Sequence, residues 1–519
     1  MSTSKQLKRL VSQWEKSAPT YCHSRNFLTA GLSLFLSAWL IRLWVFRVAR
    51  SEPDTVARVQ ACAVDNLRAD LSFLDGASPI TADEFLDRRD RLARALAAEG
   101  VDAFVCEPGY AFQFYGNVSQ SDWEPWEPEE RPFLMLILPA VSGDAVTATT
   151  AFLAPRFEEA RARMLGIPSR DPGLNIVTWE EHWDPYATLL KSRLFTGKPR
   201  PMIAVDGEMR DFIARGLAGA GFETAAPPLA AERVRQLKSR AEVAALRAVN
   251  TGTVAAVRAM RPCLVVGLTE DEVRGVLDAA LQSVGFSPFF DIVLFEEHGA
   301  LPHGGAVVGA KQLTRETMVV IDVGAHYLGY SSDICRSFFI DPAVRSKRLL
   351  PRHLAGLFEM LGLRAHHAPE VLREMSDLHS EKLKVWSIVL DAQTAAAAEM
   401  KPGRSAATVD LAARGVIEAA GYGYGFTHRL GHGIGIKGER PRVPLLCLVL
   451  IQYHLAHEPP YLNQWNTEDI LEPGMVVTDE PGIYLEGKFG VRHEDVYLVK
   501  PDGGAELLTG RRAGGPYDP

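Results

Sequence analysis

Val320-Ile321-Asp322-Val323-Gly324-Ala325-His326-Tyr327-Leu328-Gly329-Tyr330-Ser331-Ser332-Asp333-Ile334-Cys335-Arg336 is the stretch on which the reading turns. A β-branched run, Val319 to Ile321, breaks at Gly324 and Gly329 and resumes from Ile334 to Ile340. That is the pattern of two strands joined by a short glycine-containing turn. Asp322 closes the first apolar run and Asp333 opens the second. Folded as a hairpin, the chain is expected to set the two aspartates opposite each other, about 5 Å apart. Carboxylates that close on buried strands repel unless a proton or a cation lies between them. Two exposed strand-end aspartates fit the hairpin equally well, so the rest of the chain has to decide.

At 519 residues the chain is long enough for two or three domains. A hydrophobic content of 47% with 23% charged residues is ordinary for a globular protein. The net charge of −8, with no block of like charge, argues against a nucleic-acid binder. Six cysteines (Cys22, Cys62, Cys106, Cys263, Cys335, Cys447) are scattered without a C-x-x-C pair, which fits neither a disulfide framework nor a zinc ribbon. Cys335 reads as a small core residue.

The amino terminus has a different composition. Phe27–Phe46 is a 20-residue, largely apolar run interrupted by Arg42, about the length a bilayer core requires of a helix. Basic residues flank it on both sides, from Lys5 to Arg25 and from Arg47 to Arg58. The expectation is a tail over 1–24, a transmembrane helix over 25–48 and a linker over 49–75. That makes a single-pass membrane protein, or otherwise a cytoplasmic one.

From Thr81, apolar residues at helical spacing (Phe85, Leu92, Leu96) alternate with strand-like runs at Ala103–Cys106, Phe133–Leu138, Ala145–Phe152 and Met202–Val205. This predicts a compact α/β domain over 76–232. Trp123 and Trp126 form an aromatic loop that either packs or lines a cleft. A single long amphipathic helix is expected from Val234 through Met260, opening a second domain over 233–515. Residues 347–380, rich in histidine without a recurring ligand spacing, read as a surface insertion or a retained intron.

Three further motifs carry candidate chemistry. His303 lies in Leu-Pro-His-Gly-Gly, among small residues. His428 and His432 lie in Phe426-Thr-His-Arg-Leu-Gly-His-Gly-Ile-Gly435, where glycines allow close backbone approach. Glu480 follows a strand in Asp-Glu-Pro-Gly-Ile-Tyr484, and Glu494 lies in Gly490-Val-Arg-His-Glu-Asp-Val496. Each alone fits a structural role. Their order carries the inference.

That order, Asp-x10-Asp, Gly-His-Gly-Ile-Gly, Glu-Pro-Gly-Ile-Tyr and Val-Arg-x-Glu-Asp, resembles the pita-bread metallopeptidases of the aminopeptidase P and prolidase branch. The resemblance covers roughly residues 76–515. It implies an α+β chain: a pita-bread (creatinase/aminopeptidase-type) catalytic domain behind an α/β creatinase-like amino-terminal domain, with the hydrophobic helix in front. It implies that Asp322, Asp333, His432, Glu480 and Glu494 hold two divalent metals, with Asp333 and Glu494 bridging. Such an oxygen-rich set suits Mn²⁺, and less selectively Co²⁺ or Zn²⁺. The metals would share a nucleophilic hydroxide. Glu480 would pass its proton to the leaving proline nitrogen. His303, His428 and His457 match the cleft histidines that contact substrate and oxyanion, and Arg492 matches the arginine that supports a bridging carboxylate from behind. The implied activity is an exopeptidase for Xaa-Pro bonds, as a dipeptidase or an aminopeptidase on proline-containing peptides, working as a homodimer. A creatinase-like C–N hydrolase and a non-catalytic binding module are the competing classes.

One departure stands out. His432 and His457 are 25 residues apart, 18 more than the resemblance implies. Removing Glu439–Ala456 restores Gly-Ile-Lys-Gly-His-Glu-Pro-Pro, so this segment reads as an insertion or a retained intron. If it is translated, the place of His457 is in question.

Overall fold

Val59, Ala63 and Leu67 recur every four residues, and the segment carrying them is helical: α1, Thr55–Arg68, buries those three on one face. The expected linker over 49–75 is corrected there. In this computed structural model the described residues are 55–123, 131–171, 173–305, 307–340, 368–437 and 456–519. The chain divides into two units, Met1–Arg58 and Val59–Pro519; of the first, only 55–58 are described. Cys62 on α1 is disulfide-bonded to Cys263, 201 residues away, so the cysteine reading missed one pair. Cys106 and Cys335 are free and buried.

Helix α2, Ala82–Ala98, starts at Thr81, whose side chain accepts from Glu84 N. It covers a six-stranded sheet built from β1 (Ala103–Cys106), β2 (Leu134–Ser142), β3 (Ala145–Pro155), β4 (Asn175–Trp179), β5 (Met202–Val205) and β6 (Glu223–Ala225). The strand order is β4-β3-β2-β1-β5-β6. The central β1 pairs antiparallel with β2 and parallel with β5. Trp123 is buried, stacked on Phe133 with ring centroids 4.1 Å apart, so it packs rather than lines a cleft; Trp126 lies outside the described residues. Fully buried Arg88 ties α2 to the distant hairpin by donating to Tyr330 Oη (2.8 Å), and it also donates to Phe114 O (3.0 Å).

The single helix expected over 234–260 is two: α3, Leu229–Gln236, and α4, Arg240–Met260. Tertiary pairing breaks it. Leu237 bridges Met475, and Lys238 N donates to Gly474 O at 2.8 Å. Ser239 and Glu242 then restart the helix with a reciprocal capping box.

Strands β7 (Ser287–Phe295), β8 (Val319–Tyr327) and β10 (Ile334–Phe338) form a sheet in the order β10-β8-β7, with the short β9 (Tyr330–Ser331) against β8. Helices α5 (Ala368–Glu399) and α6 (Ala406–Ala419) back the rest. A five-stranded sheet of β11 (Gly431–Gly433), β12 (Glu458–Leu462), β13 (Val476–Asp479), β16 (Asp495–Val499) and β17 (Ala505–Leu507) runs in the order β12-β11-β13-β16-β17. A two-stranded ribbon, β14 (Gly482–Leu485) and β15 (Phe489–Arg492), lies between β13 and β16 in sequence. Trp386, Val389, Ile417, Phe426, Leu430, Val477 and Val491 share one buried core, which presses both helices onto these strands.

The expected membrane anchor is withdrawn, and membrane localisation with it. No helix among the described residues is long and apolar enough to cross a bilayer. Even the 32-residue α5 carries Glu381, Lys382, Lys384 and Asp391. The 25–48 segment, residues 347–367 of the first expected insertion and residues 439–455 of the second lie outside the described residues.

Candidate metal centre

The hairpin does not pair its aspartates directly. Asp322 faces Cys335, and Val323 faces Ile334. The two-residue turn at Leu328-Gly329, both at positive φ (51° and 81°), sets this register. Asp333 is therefore a diagonal neighbour of Asp322 on the same face, still within side-chain reach. Cys335 also bridges Glu494, whose N–H donates to Cys335 O at 3.0 Å. A small residue at 335 thus has a carboxylate on either side.

His432 arrives on β11, between glycines that admit no side chain. A Cβ on Gly431 would collide with Thr478 O, and one on Gly433 with Pro459 O. His432 N donates to Thr478 Oγ1 at 3.0 Å, and its Nδ1 donates to Gly433 O at 2.9 Å. That tautomer turns the Nε2 lone pair toward Asp333 and Glu480, each at 3.5 Å. Glu480 leaves the end of β13 with its N–H on Leu430 O (2.8 Å).

The ligand-type atoms converge in three overlapping groups, each within 4.8 Å: Asp322, Asp333 and Glu494; His432, Glu480 and Glu494; Asp333, His432 and His457. All five expected ligands are brought together, with His457 beside them. Asp333 and Glu494 each belong to two groups. Burial raises the pKa of all four carboxyls. Neighbouring carboxylates add to it for Asp333, Glu480 and Glu494, and Glu480 is pushed up to about 8. Asp322 Oδ1 and Glu494 Oε1 are buried and have no hydrogen-bond partner among the described residues. Unsatisfied buried carboxylates beside an imidazole lone pair fit a divalent cation and are costly without one.

Arg492, 1% exposed, is the organising cation. Its Nη2 pairs with Asp322 Oδ2 rather than with the bridging carboxylate expected of it, and its Nη1 donates to Tyr484 Oη (2.7 Å) and to Pro302 O (2.9 Å). It thereby holds the turn that carries exposed His303. Tyr484 Oη in turn reaches His428 Nε2 (2.8 Å), while His428 Nδ1 donates to Arg429 O (2.6 Å). Both nitrogens of His428 are thus engaged within the chain. Burial, then the Arg492 charge, push its pKa down to about 3 and keep it neutral.

The segment before His457 does not displace it. Its ring centroid lies 3.8 Å from that of His432. Next to it, buried Glu458 accepts from Ile436 N (3.1 Å) and Lys437 N (3.3 Å) and pairs with Arg235 and Lys238. Those contacts clamp residues 436–437 to 458, on either side of 438–455. The site roles of Arg429 and Tyr484 were missed although both lie inside quoted motifs. Arg429 Nη2 is 2.5 Å from His457 Nδ1, and no spacing in sequence encodes that contact.

Comparison with known proteins agrees with this geometry. Residues 244–365 and 371–501 match metallopeptidase family M24. An uncharacterized peptidase of Schizosaccharomyces pombe is 35% identical over 508 residues, covering 96% of this chain and 97% of that protein. A Xaa-Pro dipeptidase of Pyrococcus furiosus is 32% identical over 248 residues, 47% of this chain and 55% of its own length. The crystal structure of dipeptidase PepE from Mycobacterium ulcerans superposes with a TM-score of 0.64 at 28% identity, covering 84% of this chain and 98% of that one. The expected mixed α/β chain with a pita-bread catalytic fold is thus what the sequence adopts.

Proposed function

The chain belongs to metallopeptidase family M24, and from that premise we propose that it is a dinuclear metal-dependent exopeptidase that hydrolyses Xaa-Pro bonds. The observation that carries the reading is the convergence of Asp322, Asp333, His432, Glu480 and Glu494 in one buried cluster. Their donor set is one imidazole and four carboxylates, which favours Mn²⁺. Two such ions would supply a water ionised near neutral pH and a polarised scissile carbonyl.

The chain's own residues do the rest. Glu480 Oε takes the proton from the attacking water and returns it to the proline nitrogen. Like any amide nitrogen, that of proline leaves as a neutral amine only once it has gained a proton. Arg429 at His457 Nδ1 leaves the His457 proton on Nε2, a donor for the carbonyl oxygen as it gains charge. His428 and Tyr484 brace Arg492, which orients Asp322. Arg492→Gln should therefore weaken Mn²⁺ binding about 10- to 100-fold with the fold intact, measured by titration of the chelated protein.

The direct test is Mn²⁺-dependent release of amino acid from Xaa-Pro dipeptides and Xaa-Pro-Xaa tripeptides by the full chain. Turnover that is abolished by chelation and restored by Mn²⁺ is expected. No release from any of them would overturn the reading.

A further inference from the structure

We propose that Gln393 is a positioning residue for Glu480: it sets the spacing between Glu480 and Glu494 from behind, gripped in turn by Arg512 of the carboxy-terminal segment. The inference rests on the dinuclear reading above and adds the residues that hold one of its two ion sites together. Arg512 lies past the end of the family match at residue 501.

Glu480 and Glu494 flank a directly opposed pair, Asp479 on β13 and Asp495 on β16. Side chains alternate along a strand, which turns the Asp495 carboxylate away from the ligand cluster and toward α5. Gln393 on α5, fully buried, spans the pair: its Nε2 donates to Asp479 O (3.2 Å) and to Asp495 Oδ2 (3.0 Å). Its Oε1 accepts from Arg512 Nε (3.0 Å) and Nη2 (2.7 Å). Two acceptors on one side and a guanidinium on the other allow the amide one orientation only. Arg512 is anchored to the same helix, donating to Leu390 O (3.0 Å) and Thr394 Oγ1 (2.8 Å).

The two glutamates depend on Gln393 unequally. Asp495 has two other donors, Arg336 Nη2 and Thr509 Oγ1, each at 2.5 Å. Glu494 is held at its own backbone, where its O accepts from Arg336 Nη1 (2.5 Å) and its N–H donates to Cys335 O. The peptide between Asp479 and Glu480 is held at its carbonyl by Gln393 and at its N–H by Leu430 O. Loss of Gln393 therefore loosens Glu480 and leaves Glu494 in place. Glu480 belongs to one ligand group, with His432 and Glu494, and the group of Asp322, Asp333 and Glu494 does without it. One ion site should weaken while the other stays.

The chelated full chain, as wild type, Gln393→Met, Arg512→Gln and Arg512→Lys, is titrated with Mn²⁺ by calorimetry. The thermal midpoint of each chelated protein reports on folding, and kcat and KM are measured on Ala-Pro. Wild type should bind two ions. Gln393→Met should weaken one binding step about 10- to 100-fold, leave the other within about threefold, and lower kcat with little change in KM. Half-buried Arg512 tests the same grip should Gln393→Met fail to fold. Arg512→Gln should weaken the same step about threefold to tenfold, and Arg512→Lys, which keeps a donor for Gln393 Oε1, should recover part of it. Both steps weakened alike, or a weakened step only in proteins whose chelated midpoint has fallen, marks a merely structural role and overturns the proposal. Unchanged Mn²⁺ binding in every variant, with two ions in wild type, overturns it too and leaves the dinuclear reading standing. A wild type that binds fewer than two ions removes that reading and the proposal with it.

Discussion

Asp333→Asn should abolish peptide hydrolysis, by at least about a thousandfold in kcat, in a protein that stays folded. Asp333 oxygens fall in two of the three ligand groups, so one substitution removes a donor from both halves of the centre. Each bound ion is worth several kcal/mol of transition-state charge stabilisation, and about 4 kcal/mol is already a thousandfold. Folding should not suffer, because the carboxyl being neutralised is one that burial and the charges of Asp322 and Glu480 already disfavour. In the chelated state the thermal midpoint of Asp333→Asn should match or exceed that of wild type. A variant that retains activity, or that unfolds under chelation while wild type does not, contradicts this account.

The second large effect is on stability when metal is removed. Four buried carboxyls have folded pKa values above their unfolded ones; Glu480 rises from 4.5 to about 8. For raised groups the stabilising contribution is fully present below the unfolded pKa and is lost as pH rises through the folded one. The chelated protein should therefore lose stability between about pH 4.5 and 8, by roughly 1.4 kcal/mol per pH unit for each proton the site gives up on unfolding. Divalent ions reverse the sign locally, since ligands must be deprotonated to bind them. The gap in denaturant midpoint between Mn²⁺-loaded and chelated protein should widen steadily from pH 5 to pH 8. Parallel curves would show that these carboxyls do not form one metal-linked cluster.

Much of the site was legible because its residue types are rare at buried strand ends. Asp322, Asp333, His432, Glu480 and Glu494 stood out against the apolar runs that carry them, and all five converge. What sequence could not supply was register. Pairing Asp322 with Asp333 assumes a turn one residue too early; the positive φ of both Leu328 and Gly329 puts it later and makes the contact diagonal. Leucine at a left-handed turn position gives no warning in sequence. Helix α1 was readable from Val59, Ala63 and Leu67, but its polar surroundings hid it in an expected linker. The break between α3 and α4 was also readable, since Ser239 and Glu242 form a capping box. The strand-like contact of Leu237 with Met475, far along the chain, was not. The Cys62–Cys263 pair spans 201 residues and has no local signature at all. The membrane anchor rested on composition alone, and nothing in the described residues supports it.

Counting the ions tests the central claim most directly. Equilibrium dialysis of the chelated full chain against Mn²⁺, read by elemental analysis, should saturate at two ions per chain, and at one or none in Asp333→Asn. No saturable binding, or the same stoichiometry and affinity in both proteins, would contradict a centre built from these five side chains.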